Sequence, residues 1–312
     1  MMSDTNRVGG RLPGPTLHRL IYQQQYTEAL KHFRQRPQDA KYDDGIALGR
    51  LCVEESIAPI TEDGLRLIEE IVRAFPFLVG QVDINGWTPM LRAAGLRNSP
   101  FEPLSERRLV LLIQACPEAT CARVLRDGDW HMNSFLFACK HNASLDLLKL
   151  ILAIDASFAT QAAVAESSRY DRISADRYAM VILWRAIGGA QNPEEWPKME
   201  LLLRAATGAP LDEIPDEGED DEYNHKGQHP NHFDVLRAAC MVNPCPRDYV
   251  EILLQRYPNR LAWADETGLL PLHHAILAAN KQWPRQTEFL MEEMVARYPD
   301  AASYPFGKHA QD

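Results

Sequence analysis

Histidine and cysteine side chains crowd one stretch of the chain. His225, His229 and His232 are followed by Cys240 and Cys245. Neutral imidazole and deprotonated thiol are zinc ligands when four of them close around the ion at compact spacing. Here Pro244 interrupts the gap between the two cysteines, and Cys240 follows a pair of alanines in a small-residue run. The bland reading is a core cysteine beside loop histidines. Cys116, Cys121 and Cys139 are the other possible nucleophiles. A reactive thiol needs a base and a lowered pKa. Cys116 precedes a proline and Cys139 follows an alanine, both packing positions. The chain contains no Gly-x-Ser-x-Gly, His-Glu-x-x-His, glycine-rich phosphate loop or kinase signature. The expectation is therefore a chain that is not an enzyme, with no catalytic residue, no metal site and no cofactor. A metal-dependent enzyme using 225–245 is the alternative in a different class.

Arginine and tryptophan offer another chemistry, that of surface recognition. Five alanines serve as anchors along the chain: Ala93, Ala138, Ala186, Ala238 and Ala275. The residue before each is Arg92, Phe137, Arg185, Arg237 and His274 in turn, with Arg19 and Arg50 in matching places nearer the start. Guanidinium forks fit carboxylates and phosphates. The plainer alternative is that these arginines lie along their own helices or pair with a neighbouring glutamate. Trp87, Trp130 and Trp263 stand in short polar segments beside Asn85, Asp129 and Asp265. Tryptophan on a protruding loop is a typical interface anchor, and packing on the next loop is the competing role.

The elements that must position these residues repeat. Asp83-Ile84-Asn85-Gly86-Trp87-Thr88-Pro89-Met90-Leu91-Arg92-Ala93 and Asp265-Glu266-Thr267-Gly268-Leu269-Leu270-Pro271-Leu272-His273-His274-Ala275 share one pattern, Asp-x-x-Gly-x-x-Pro-apolar-x-x-Ala. Aspartate and glycine suit a tight turn, and proline suits the first turn of a helix. The anchors lie 45, 48, 52 and 37 residues apart, the range of helical repeats. Apolar runs with helical spacing follow, such as Leu65, Ile68, Ile71 and Val72, and they end at Phe75-Pro76, Cys116-Pro117, Tyr257-Pro258 and Tyr298-Pro299. The unit is finger, short helix, turn, longer helix, exit loop.

These units resemble ankyrin repeats. Thr88-Pro89 with Ala93-Ala94, and Pro271-Leu272-His273 with Ala275, carry the family's Thr-Pro-Leu-His-x-Ala-Ala pattern, and Leu17-His18 carries a trace of it. Leu91 stands at the family's histidine, the middle copies lack the proline, and the period exceeds the family's. The resemblance implies an all-α solenoid of helix–turn–helix units with short finger loops, whose concave groove and fingers bind a protein or peptide. It implies that His273 bonds backbone groups of a neighbouring loop, a structural role. It also directs the slot before the anchor alanine at or near the groove. The partner-binding set is then Trp87, Arg92, Trp130, Phe137, Arg185, Arg237, Trp263 and His274, and an acidic partner suits it. A regulatory repeat segment of a longer enzyme is the second alternative.

The expected organisation is a disordered tail over 1–16, repeats over 17–206, a disordered acidic insertion over 207–231, repeats over 232–305 and a tail over 306–312. Residues 212–222 hold eight acidic and no basic side chains, so mutual repulsion opposes folding there. The 312 residues carry a net charge of -10, which speaks against a nucleic-acid partner. No apolar run reaches the ~20 residues of a membrane span. Six thinly spread cysteines and no apolar leader between Met1 and Pro15 fit reduced thiols in the cytoplasm or nucleus. If the acidic stretch occupies the arginine-lined groove, a chain lacking 207–231 holds an acidic partner more tightly, with the gain largest at low salt. Unchanged affinity at both low and high salt removes that idea.

Overall fold

A computed structural model describes residues 16–41, 46–52, 61–83, 86–94, 103–121, 123–126, 129–162, 178–211, 233–242, 245–265, 267–279 and 284–304. The fold is mostly helical, with 14 helices among the described residues. The chain divides into two compact units, Met1–Leu125 and Arg126–Asp312. This division does not fall at the acidic insertion. The insertion from 212, both ends of the chain and the three histidines at 225, 229 and 232 lie outside the described residues.

The first unit holds three helix pairs. They are α1 (Thr16–Tyr22) with α2 (Tyr26–Gln35), α3 (Ile46–Leu51) with α4 (Glu62–Ala74), and α5 (Pro89–Ala94) with α6 (Pro103–Ala115). Short helices touch short ones, α1 against α3 and α3 against α5, and long ones touch long ones, α2 against α4 and α4 against α6. The sequence explains the long members. Thr61 caps α4 by accepting the Gly64 N–H at 3.2 Å, and Glu62 and Asp63 fill its positive first turn. Leu65, Leu67, Ile68, Ile71 and Val72 then form a buried stripe. Each apolar side chain of that size contributes roughly 2 kcal/mol by leaving water.

The second unit begins within a small antiparallel ribbon, β1 (Arg123–Arg126) and β2 (Asp129–Asn133). This ribbon adds a strand pair to the helical expectation. Four helix pairs follow: α7 (Ser134–Lys140) with α8 (Leu145–Ile154), α9 (Ala179–Ala186) with α10 (Trp196–Thr207), α11 (Val235–Met241) with α12 (Arg247–Arg256), and α13 (Pro271–Ala279) with α14 (Pro284–Arg297). Here α7 touches α9, α8 touches α10, α11 touches α13 and α12 touches α14.

One device ends six of the seven long helices. The residue after the helix leaves helical geometry, and a 3-10 turn follows: Pro37–Lys41, Pro76–Gly80, Pro117–Cys121, Ala156–Thr160, Pro258–Ala262 and Pro299–Ser303. In each the carbonyl just before the turn accepts an N–H three residues on, as Phe75 accepts from Leu78 at 3.1 Å and Tyr257 from Arg260 at 3.1 Å. Proline at the turn's first position has no N–H to leave unsatisfied and already holds the required φ. The helix α10 ends differently, on Gly208 at φ 77°, a left-handed position that glycine adopts without strain.

Cys52, Cys139 and Cys240 are buried in this packing. Burial pushes the Cys52 thiol up to about 12, against the weaker pull of Arg108 and Arg92. It also raises Cys139 and Cys240 above the ordinary thiol value. Cys121 is exposed. An aromatic disulfide reagent added to native protein at neutral pH is expected to modify Cys121 at least ~100-fold faster than Cys52, Cys139 or Cys240, which react on unfolding. Peptide mapping of the labelled thiols checks this, and equal rates would mean that those helices are not packed as described.

Candidate functional site

The two strong copies of the finger are built around one carboxylate each. The Asp83 N–H donates to the Trp87 carbonyl at 2.9 Å, and the Gly86 N–H donates to the Asp83 carbonyl at 2.9 Å. Asp83 Oδ1 accepts the Trp87 N–H at 3.0 Å. The second copy repeats this. The Asp265 N–H donates to Leu269 at 2.9 Å, and the Gly268 N–H donates to Asp265 at 2.9 Å. Asp265 Oδ1 accepts the Leu269 N–H at 2.9 Å, the Thr267 N–H at 2.8 Å and the Thr267 hydroxyl at 2.6 Å. Gly86 at φ 78° and Gly268 at φ 81° complete the turns in the left-handed region.

The second oxygen of each carboxylate faces the short helix. Asp83 Oδ2 accepts from Arg92 Nε at 2.7 Å and also from its Nη2. Asp265 Oδ2 lies 2.7 Å from His274 Nε2. In both copies the partner is the residue before the anchor alanine, nine positions after the aspartate. One oxygen thus shapes the finger and the other ties it to the helix that follows. Burial tends to raise the Asp265 pKa, but the bonds from Thr267, Leu269 and His274 outweigh it and hold the carboxyl well below its ordinary range.

The starts of the short helices set the register of the slot before the anchor. Thr88 precedes α5 and accepts the Leu91 N–H at 3.1 Å. Asn133 precedes α7 and accepts the Leu136 N–H at 2.9 Å. Asp234 precedes α11 and accepts the N–H groups of Leu236 at 3.0 Å and Arg237 at 3.2 Å. Leu270 precedes α13 without a capping group of its own, and its N–H donates to His273 Nδ1 at 3.1 Å. His273 also bonds the Tyr304 backbone, and burial lowers its pKa. Five residues after these starting points, and after Tyr178 before α9, stand Ala93, Ala138, Leu183, Ala239 and Ala275, all buried.

In this register Arg92, Phe137 and His274 are equivalent, and Arg185 and Arg237 are not. Because Asp234 caps α11, the anchor of that unit is Ala239, and Arg237 moves back a position. Because α9 starts at Ala179, its anchor is Leu183, and exposed Arg185 falls beyond it. The slot before the anchor, which the sequence spacing assigns also to Arg185 and Arg237, is thereby filled by neither of them. Arg237 is half-buried with a guanidinium nitrogen 3.7 Å from Asp234. Phe137 is half-buried, and Trp130 lies on β2 with its side chain outside the described part. Trp87 is half-buried, with the Arg92 guanidinium 5.9 Å from its ring centre. Trp263 is 37% exposed and closes the 3-10 turn before the second finger.

Residues that the sequence reading did not single out join Trp263. Arg260, buried, lies 5.8 Å from the Trp263 ring and 4.2 Å from that of Tyr257. Arg256 lies 5.6 Å from Tyr257 and 5.8 Å from Trp196. The tyrosine before the exit proline was the signal available for this cluster. Among the described residues no group of three histidine, cysteine or acidic side chains could hold a metal ion. Comparison of the chain with protein-family models, curated proteins and solved structures finds no match.

The depressed pKa of Asp265 makes its contribution to stability complete above the unfolded value of about 4, with loss as the pH falls through it. Urea unfolding of the native chain is expected to show that loss between about pH 5 and pH 2. Asp265→Asn is expected to cost about 2 kcal/mol at pH 7 and to flatten this part of the pH profile. A variant as stable as the parent at pH 7 would show that the carboxylate holds nothing.

Proposed function

We propose that the chain is a non-enzymatic protein–protein interaction scaffold, an ankyrin-like solenoid that binds a protein or peptide through its finger loops and groove. The observation that carries this reading is the repeated carboxylate latch. Two fingers far apart in sequence use the same backbone bonds and tie the same aspartate to the same slot of the following helix, once through Arg92 and once through His274. A loop anchored in this way loses little freedom when a partner arrives, so more of the contact energy remains as affinity. The like-with-like helix contacts within each unit and the repeated exit turn support the solenoid. Trp87 and Trp263 supply large amphipathic faces at the two fingers. Six free cysteines support a reducing location, cytoplasm or nucleus. Among the described residues no helix is long and apolar enough to cross a membrane.

The test is affinity capture of partners on the full chain, with the bound proteins identified by mass spectrometry and the capture repeated for Trp87→Ala and Trp263→Ala. Each substitution is expected to weaken the same captured partner by about tenfold or more, with the thermal transition retained. Collapse of that transition instead would assign the indoles to the core.

A further inference from the structure

The edge of the second unit's finger continues into alternating rings and guanidinium groups. Trp196, Arg256, Tyr257, Arg260 and Trp263 follow one another at 4.2 to 5.8 Å between cation and ring centre. These separations lie within reach of a cation–π attraction. The two arginines differ in state. Arg260 is buried, and a guanidinium nitrogen lies 3.8 Å from the Asp234 carboxylate. Arg256 is exposed at the last turn of α12 and makes no ion pair among the described residues. Other arginines on the long helices of this unit are neutralised locally: Arg247 bonds Glu251 at 2.9 Å, and Arg297 bonds Glu293 at 3.4 Å. Arg256 is flanked by two rings, which restrict it, and among the described residues no carboxylate takes its N–H donors. A guanidinium in that state fits the paired oxygens of a carboxylate.

We propose that Arg256, between Trp196 and Tyr257, receives a glutamate or aspartate of an acidic peptide, and that the peptide runs along the stack toward Trp263. Charge complementarity selects this occupant. The site offers one unneutralised cation and an exposed indole, and a carboxylate with a short apolar neighbour satisfies both. This rests on the interaction-scaffold reading and names the chemistry of its partner.

The experiment is a fluorescence-anisotropy titration of the full chain against a labelled ten-residue peptide of alternating glutamate and alanine, the glutamate peptide, and its counterpart with glutamine in place of glutamate. The glutamate peptide is expected to bind, more weakly as salt rises, and the glutamine peptide is not. Arg256→Ala is expected to lower affinity about tenfold and Arg256→Lys to recover only part, because the fork is missing. Arg247→Ala is the control, since that arginine also lies on a ring, Phe289, but is already paired. It is expected to bind as the parent does. No binding of the glutamate peptide up to about 1 mM, full affinity in Arg256→Ala, or an equal loss in Arg247→Ala would each overturn the proposal. A captured partner that is lost with Trp87→Ala and kept with Arg256→Ala would leave the scaffold reading standing and remove this one.

Discussion

Short helices cannot stand alone, and the rest of the structure follows from that constraint. Helix α5 has six residues and α7 and α11 have seven each. Isolated helices below roughly a dozen residues are marginal in water, because nucleation fixes several dihedrals for a single bond. Each of these helices therefore needs its free N–H groups capped and its apolar face covered. Thr88, Asn133 and Asp234 meet the first need with side-chain oxygens, each worth about 1 kcal/mol. Buried alanines at the anchor meet the second by letting the neighbouring helix approach closely.

The finger aspartate extends the same logic beyond the helix. A carboxylate has two oxygens and room for several donors. Asp83 and Asp265 use one oxygen to set the turn and the other to hold the helix, so the loop and the helix share a fate. The two latches are chemically unlike. Arg92 reaches its carboxylate oxygen through two guanidinium nitrogens, whereas the imidazole of His274 does so through one. One geometric position thus accepts two residue types because both reach back to the same oxygen.

Charge is also distributed by helix class. On the long helices of the first unit, Arg34 bonds Glu70 and Arg107 bonds Glu62, each pair bridging neighbouring helices. These exposed pairs contribute little stability individually, but they neutralise that face. In the second unit rings meet across the two helix classes: Trp184 of the short helix α9 donates to Asp248 of α12 at 2.7 Å, and its ring centre is 5.0 Å from that of Tyr249. On the long helices of this unit Arg204, Arg247 and Arg297 pair with a glutamate of their own helix, and among the described residues Arg256 lies beside rings instead.

Helical character, the finger turn and the exit were legible in the residues alone. Asp-x-x-Gly-x-x-Pro dictates a local backbone, and a proline after an apolar helical run ends it, because φ preferences and missing donors act within a few residues. The exit prolines even keep a steadier interval than the alanines, with Pro37, Pro76 and Pro117 lying 39 and 41 residues apart. The register of the short helices was set by capping and packing. Whether Ala238 or Ala239 is the anchor depends on which residue takes the cap, and both alanines fit the pattern equally. Packing alone also set what the arginines meet. Arg92 finds an aspartate nine residues back, and Arg256 finds Trp196 sixty residues away. A long flexible cation has no fixed neighbour until the packing of other elements supplies one.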